Sequence, residues 1–312
     1  MSQTAEERVL FYLRRNRSAT RAEIAGAVGM STVSAGRTID SLIEGEFIRQ
    51  KPKLTDAAGR RGSKVSLNDA FELAVLDLSR DSFVLRFFAL SGKQNDERPY
   101  LHNRYLTREE NAAAFIRSAA LYLNKHDANR PVAGVAVLLP FADRPAGFAD
   151  YCEESFIRHQ LSVRFPDKPT FIFNDAVSAG AALYDRTMPH PDALIYLHPD
   201  RSFIAFANEE APVDLSACRC GGKALSDCVS ENAVDNVAEF LLNASVLLGI
   251  GSCLMDSSLP YDAVQAAIRH TAPSAGIVLF PSAHDSSLYA SGASLLLQNK
   301  LLNIRFQSKG DL

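Results

Sequence analysis

The sequence lacks any uninterrupted apolar run long enough to cross a membrane. Its most apolar stretch, Val237 to Met255, is broken by Glu239, Asn243 and several glycine and serine residues, whereas a spanning helix needs about 20 consecutive, predominantly apolar residues. No charged N-terminal region followed by an apolar segment is present, so no signal peptide is expected. Five cysteines in 312 residues, an odd number, favour a reducing compartment over a disulfide framework. These absences predict a cytoplasmic protein with no membrane partner.

Length and charge indicate more than one domain. The 312 residues are 47% hydrophobic, enough to bury a substantial core. Residues 1–70 carry 12 Lys and Arg against 8 Asp and Glu, whereas the remainder carries 21 against 28. A small basic domain (1–70) ahead of a larger acidic one (71–312) is the distribution expected when a DNA-binding unit is attached to a unit that does not touch DNA.

The first 68 residues have the order of a winged helix-turn-helix. A first helix is predicted from about Ala5 to Arg15. Thr20-Arg21-Ala22-Glu23 fits a capping box that opens a short helix ending at Gly29. Ser31 is predicted to cap the next helix, which runs to Glu44. Two strand-like pieces follow, with a loop between them that contains Gly59-Arg60-Arg61-Gly62. Three helices and a basic wing predict binding to double-stranded DNA.

The helix after Ser31 is the predicted DNA reader. Its periodicity places Val33, Ile39, Leu42 and Ile43 toward neighbouring helices. Gly36 lies inside this helix, where glycine costs roughly 1 kcal/mol relative to alanine, which indicates close approach to a neighbouring helix or to DNA. Hydroxyl and guanidinium groups suit base edges and phosphates, and wing arginines suit a minor groove or phosphates. The candidate DNA-binding residues are Ser31, Thr32, Ser34, Arg37, Thr38, Arg60 and Arg61.

From Phe71 onward, strand and helix patterns alternate. Strands are predicted over 71–78, 82–90, 100–106, 132–139, 170–173, 193–197, 203–207 and 276–280. Helices are predicted over 108–123, 176–184, 229–248, 261–270 and from 286 onward. Such alternation predicts an α/β domain whose sheets are covered by helices.

The order of these features resembles the ROK family of repressors and sugar kinases. The resemblance implies an actin-like or hexokinase-like pair of α/β lobes with a sugar cleft, behind the winged helix-turn-helix. The similar segments are Gly59-Arg60-Arg61-Gly62, Val65 to Asn68, Leu76-Asp77-Leu78, Gly134 to Pro140, Phe173-Asn174-Asp175-Ala176, Ala179 to Leu183, Cys218-Arg219-Cys220-Gly221-Gly222 and Ser291-Gly292-Ala293-Ser294.

Both phosphate loops depart from the kinase pattern that the resemblance implies. Family kinases carry an Asp-x-Gly-Gly-Thr turn, whose small residues allow close approach to ATP phosphates. Here Asp77-Leu78-Ser79-Arg80-Asp81 keeps the first Asp but replaces both glycines and puts an acid in place of Thr. The second loop, Leu197 to Ser202, has no glycine at all. Neither ATP binding nor phosphoryl transfer is therefore expected.

The sugar site implied by the resemblance is altered. In the family the Asn-Asp pair meets the sugar, and Asn174 and Asp175 match it. Asp175 has an equally plain alternative role, as the cap of the helix from Ala176. The family's Glu-x-x-His segment has no counterpart here, and Asp227 takes the place of a Glu that follows the cysteines. The ligand that the resemblance implies is a sugar or sugar phosphate.

The family's zinc motif is incomplete. Zinc in the family is held by one His and three Cys, the tetrahedral arrangement of a structural site. This chain keeps Cys218 and Cys220, has Leu225 at the third cysteine position and lacks the His; Cys228 comes three residues later. A site built from Cys218, Cys220 and Cys228 and a buried pair of free thiols both remain open.

The sequence thus predicts a transcriptional regulator, a repressor of ROK type linked to carbohydrate metabolism, and not an enzyme. A homodimer or a dimer of dimers is expected, because helix-turn-helix proteins usually read two half-sites. The larger domain senses a sugar in one interpretation. In the other it has lost its ligand and serves dimerisation or protein interaction. An active sugar kinase with a DNA-binding appendage is the third interpretation, which the glycine-free loops disfavour.

Overall fold

The computed structural model describes most of the chain. The described ranges are 4–50, 63–79, 82–127, 130–140, 152–186, 193–197, 202–206, 213–215, 218–220, 222–256, 259–282 and 288–307. Two units divide the chain: residues 1–173 together with 293–312, and residues 174–292.

The N-terminal part of the first unit is a winged helix-turn-helix. Its core is formed by fully buried aliphatic side chains, among them Leu10, Leu13, Ile24, Ile39 and Leu42, and each such burial contributes about 1.5–3 kcal/mol. The elements are α1 (Ala5–Asn16), β1 (Ala19–Thr20), α2 (Arg21–Ala27), α3 (Thr32–Glu44), β2 (Ile48–Gln50) and β3 (Lys64–Leu67). The three strands form one antiparallel sheet in the order β1-β3-β2.

The rest of the first unit is built on a five-stranded mixed sheet. The elements are β4 (Glu72–Asp77), β5 (Val84–Ala89), β6 (Gln94–Pro99), α4 (Arg108–His126), β7 (Val132–Leu139), α5 (Glu154–Arg164) and β8 (Thr170–Asn174). The strand order of the sheet is β6-β5-β4-β7-β8, with β4 antiparallel to β5 and parallel to β7. Strands β4, β5 and β7 are buried along almost their whole length and pack with α4 and α5 into one apolar cluster.

The second unit contains a second five-stranded sheet and a small hairpin. The elements are α6 (Asp175–Arg186), β9 (Ala193–Leu197), β10 (Phe203–Phe206), β11 (Val213–Asp214), β12 (Arg219–Cys220), β13 (Lys223–Ala224), α7 (Leu225–Ser230), α8 (Val234–Leu248), β14 (Ser252–Asp256), α9 (Tyr261–Thr271), β15 (Val278–Ser282) and α10 (Leu288–Gln307), whose C-terminal part belongs to the first unit. The strand order of the sheet is β11-β10-β9-β14-β15, with β9 antiparallel to β10 and parallel to β14.

The two sheets repeat one topology. In each, the first strand lies at the centre, the second and third extend antiparallel on one side, and the fourth pairs parallel on the other. The predicted α/β class, with an N-terminal winged helix-turn-helix, is confirmed. No helix in the described ranges is both long enough and apolar enough to cross a membrane.

The structure corrects one predicted strand and adds elements that were not predicted. The strand expected over 100–106 lies one segment earlier, as β6, whose polar sequence suits an exposed sheet edge. The helix α5 was not predicted. The apolar stretch Val237 to Met255 contains most of α8 and most of β14, which the sequence did not predict as a strand. Gly249 separates these two elements, because it takes a left-handed conformation that ends α8.

Candidate functional site

The N-terminus of α3 is organised by serine hydroxyls. Ser31 is the N-cap, and its Oγ accepts a hydrogen bond from the Ser34 backbone N–H at 3.1 Å. The same Oγ donates to the Ser34 hydroxyl at 3.0 Å. Thr32 and Arg37 are exposed together with both serines. The predicted cap is confirmed, and these four candidate residues lie on accessible surface of one helix.

The rotation of α3 differs from the prediction at two positions. Thr38 is only 8% exposed and packs inward with Ala35, Ile39 and Leu42. Val33, which was expected to face a neighbouring helix, is 64% exposed. The buried residues are spaced i, i+3, i+4 and i+7, so they define one inner face, and Val33 falls outside it. Thr38 is therefore removed from the candidate DNA surface.

Arg21 of α2 holds α3 in place through a hydrogen bond and an ion pair. The start of α2 is closed by the predicted capping box, in which Thr20 and Glu23 exchange backbone and side-chain hydrogen bonds. Arg21 donates from Nη1 to the Gly36 carbonyl at 3.2 Å and pairs through Nη2 with Asp40. This hydrogen-bonded guanidinium holds the pKa of the Asp40 carboxyl below its usual value. The only acidic group in the middle of α3 is thereby compensated by an adjacent cation.

The wing is anchored by antiparallel pairing between β2 and β3. Gln50 pairs with Val65 and Ile48 with Leu67, so the chain leaves and re-enters the sheet at neighbouring positions. The intervening residues 51–62 lie outside the described part of the chain. The predicted DNA contacts of Arg60 and Arg61 fall there and stay predictions.

Asp77, which matches the aspartate of the kinase phosphate turn, is hydrogen-bonded by other residues of this chain. Asp77 Oδ1 accepts hydrogen bonds from the Ser79 backbone N–H at 3.0 Å and from the Ser79 hydroxyl at 2.6 Å. Its Oδ2 pairs with Arg86 Nη1 at 2.8 Å, and the two side chains are 4% and 6% exposed. A carboxylate held this way has both oxygens bonded to groups of its own chain. Arg80, Asp81 and residues 198–201 of the second loop lie outside the described ranges.

The Asn-Asp pair sits at the junction of β8 and α6. Asn174 Oδ1 accepts a hydrogen bond from the Val177 backbone N–H at 2.7 Å, three residues on, which is the geometry of an N-cap. The helix begins at Asp175, so the interpretation of Asp175 as its cap was wrong. Asp175 lies in the first turn, where a carboxylate is favoured by the helix dipole, and it is 4% exposed. The third sugar candidate, Asp227, is exposed in the first turn of α7.

Two of the three zinc candidates take part in a closed set of hydrogen bonds. Cys220 Sγ donates to the Asn236 carbonyl at 2.9 Å, and Asn236 Nδ2 donates to Cys228 Sγ at 3.7 Å. Cys228 Sγ in turn donates to the Cys220 carbonyl at 3.3 Å. Burial, with a further contribution from Cys228, raises the pKa of Cys220 to about 12.

These thiols do not fit the zinc motif. Zinc binds thiolates, whereas Cys220 and Cys228 both use their protons to join β12, α7 and α8. Among the described residues, no group of three or more His, Cys, Asp or Glu side chains is arranged to hold a metal ion. Cys218, Cys220 and Cys228 are thus not brought together as a ligand set. Of the two interpretations left open by the sequence, the buried pair of free thiols is the one that the geometry of Cys220 and Cys228 matches.

Several residues of these sites were missed by sequence reasoning. Arg86 had a visible signal, because a charge inside the apolar run of β5 needs a buried partner. Asn236 had none, because its role depends on packing between segments that are distant in the sequence.

Comparison with known proteins was made by sequence and by structure. No family model and no curated protein matches the sequence. Among solved structures, a ROK family transcriptional regulator, a homolog of the E. coli MLC protein, matches with a TM-score of 0.64 and 14% identity, covering 96% of this chain and 97% of the other.

Two further structures match about three quarters of the chain. A ROK family protein from Streptococcus pneumoniae in complex with sucrose has a TM-score of 0.53 and 14% identity, and ROK hexokinase from Thermus thermophilus has a TM-score of 0.53 and 15% identity. Each covers 74% of this chain and 99% of the other. The chain therefore has a mixed α/β fold preceded by a winged helix-turn-helix. That fold is the fold of the ROK proteins, and the resemblance seen in the sequence is confirmed at this level.

Proposed function

We propose that this chain is a DNA-binding transcriptional regulator, a repressor of ROK type that acts as a homodimer. The observation that carries the proposal is the exposed N-terminal part of α3, where Ser31, Thr32, Ser34 and Arg37 stand on a helix fixed by Arg21. The near full-length match to a ROK regulator supports the proposal. That match covers 96% of this chain and so includes most of the winged helix-turn-helix, whereas the match to the hexokinase covers 74%.

The experiment is selection of binding sequences from a random double-stranded DNA library by the full chain. One sequence class with two related half-sites is expected, since a two-fold dimer reads a two-fold operator. Arg37→Ala should weaken binding about tenfold, as loss of one good base contact does. Arg117→Ala, which removes an exposed arginine from α4, is the matched control and should bind normally. Failure to enrich any sequence would overturn the proposal.

The wing is tested in the same assay. Arg60→Ala combined with Arg61→Ala should weaken binding and flatten its salt dependence, because each lost phosphate contact removes about one counterion from the release that drives binding. Unchanged affinity and salt slope would show that these arginines do not contact DNA.

We propose further that the larger domain does not transfer phosphate. The buried pairing of Asp77 with Arg86 supports this, because it withdraws the carboxylate that the kinase turn would direct at phosphates. Incubation with ATP and a panel of hexoses and N-acetylhexosamines tests the proposal. Turnover that is abolished by Asp175→Asn would overturn it.

A sugar or sugar derivative is the proposed effector. Asp175 supports this, because a buried carboxylate can accept hydroxyl hydrogen bonds worth roughly 1.5–3 kcal/mol each. A thermal-shift screen should find a ligand that raises the melting temperature of the wild type but not of Asp175→Ala. Since ligand at 100 times its Kd adds about 2.7 kcal/mol of stability, the absence of any shift would favour the alternative, a domain used for dimerisation or protein interaction.

A further inference from the structure

The outward side of α3 carries an apolar spot among polar residues. Val33, Gly36, Arg37 and Asp40 follow the spacing i, i+3, i+4 and i+7, which places them on one stripe of the helix. Val33 is 64% exposed, although its neighbours Thr32 and Ser34 are polar and also exposed. Gly36 lies one turn further along, where Arg21 of α2 donates to its carbonyl, so helix backbone and this guanidinium form the surface beside the valine.

Within the described part of the chain, no neighbour requires glycine at position 36. Among the described residues, a methyl group built there meets only Arg21 Nη1, at 3.9 Å, which is ordinary van der Waals contact. The backbone at Gly36 does not adopt the left-handed conformation that favours glycine. Glycine inside a helix nevertheless costs roughly 1 kcal/mol relative to alanine. Close approach to another described helix, one of the two explanations considered from the sequence, therefore does not account for Gly36, and close approach to DNA is the other.

We infer that Val33 and Gly36 together form a contact for the 5-methyl group of a thymine in the major groove. The inference rests on the proposed function. Thymine is the base whose major-groove edge carries a methyl group, and apolar side chains contact it directly. Val33 supplies the apolar surface, while Gly36 allows the helix backbone to lie close to the base edges. Arg37, on the same stripe, supplies the polar contact beside them.

The test removes the methyl group from the DNA and the valine from the protein. The full chain first selects its sequence from a random library. Each thymine of one selected half-site is then replaced singly by deoxyuridine, which deletes only the 5-methyl group. At one position the wild type should lose about fourfold in affinity, the effect of one buried methyl group. Val33→Ala should bind more weakly than the wild type and lose its sensitivity to deoxyuridine there.

Matched variants separate contact from folding. Val33→Thr keeps one methyl group and should retain sensitivity at the same thymine. Val163→Ala alters an exposed valine on α5 and should bind as the wild type. Gly36→Ala should keep or raise the melting temperature, because the site has room and alanine favours a helix, while it lowers DNA affinity at least tenfold.

The outcomes distinguish this inference from the function on which it rests. If no sequence is selected, the proposed function fails and the inference fails with it. If a sequence is selected but no thymine is sensitive to loss of its methyl group, only the inference is overturned. It is also overturned if Gly36→Ala binds DNA as tightly as the wild type.

Discussion

Arg14 on α1 and Gln298 on α10 are joined by a hydrogen bond although 284 residues separate them. Arg14 Nη1 donates to Gln298 Oε1 at 2.8 Å. The Gln298 side chain is completely buried, and its Nε2 donates to the Leu90 carbonyl at 3.3 Å. A second cross-connection pairs Arg305 of α10 with Glu46, just beyond α3. The winged helix-turn-helix is thus attached to the last helix by polar contacts with defined geometry.

We predict that Arg14 and Gln298 are energetically coupled. In a double-mutant cycle of Arg14→Ala and Gln298→Ala, the free energies of unfolding should deviate from additivity by about 0.5–3 kcal/mol, as is usual for residues in one hydrogen-bond network. Urea unfolding provides the measurement. Additivity within about 0.3 kcal/mol would show that the contact contributes nothing.

Gly292 is predicted to be indispensable for the packing of α10. A methyl group built there would overlap the Ser178 carbonyl of α6, so Gly292→Ala should lower the free energy of unfolding by about 1–3 kcal/mol or more. Gly26→Ala is the control, because no neighbour among the described residues lies within 4 Å of a methyl group at this position of α2. It should be neutral or stabilising. Equal melting temperatures for the two variants would contradict the packing.

Thiol reactivity should distinguish the cysteines. Cys220 has a pKa of about 12 and is buried, as are Cys228, Cys152 and Cys253, whereas alkylation requires the thiolate. Iodoacetamide at pH 8 should therefore modify Cys218 first, with the others protected until the protein is denatured. Mass spectrometry locates the label. A zinc site would give a different pattern, with Cys218, Cys220 and Cys228 all protected by the metal and exposed together by a chelator.

The buried carboxylate of Glu72 should make stability depend on pH in the acid range. Burial alone would raise the pKa of Glu72, but hydrogen bonds from His126, Arg130 and Asn95 outweigh it and hold the pKa below its ordinary value. The stability that these contacts supply is present above that ordinary value and is lost as the pH falls through the folded-state pKa.

Glu72→Gln tests this linkage. The variant should be about 1–3 kcal/mol less stable at pH 7, because the hydrogen bonds to this group lose their charge, and its melting temperature should fall less steeply than that of the wild type below pH 5. Glu154→Gln, which breaks an exposed pair with Arg158, should change stability by no more than about 0.5 kcal/mol. Parallel pH profiles for the wild type and Glu72→Gln would refute the assignment.

Local patterns in the sequence determined much of the fold. The capping box of Thr20 and Glu23, the Ser31 cap and the apolar strand Val132–Leu139 depend on residues a few positions apart, and each was found where it was expected. The order of weak motifs along the chain was enough to indicate the ROK fold. The replaced glycines of both phosphate loops were equally visible, because they require only the residue types.

Tertiary structure alone decided the contacts on which the candidate sites depend. Thr38 and Val33 exchanged inner and outer positions because packing against α1 and α2 sets the rotation of α3, and a short helix with mixed residues leaves that rotation ambiguous. Cys220 and Cys228 both form hydrogen bonds with Asn236, and Asp77 forms an ion pair with Arg86. These contacts exist only because the fold brings the strands and helices together. Hydrogen bonds and ion pairs act over a few ångströms in space, so their partners cannot be read from distances along the chain.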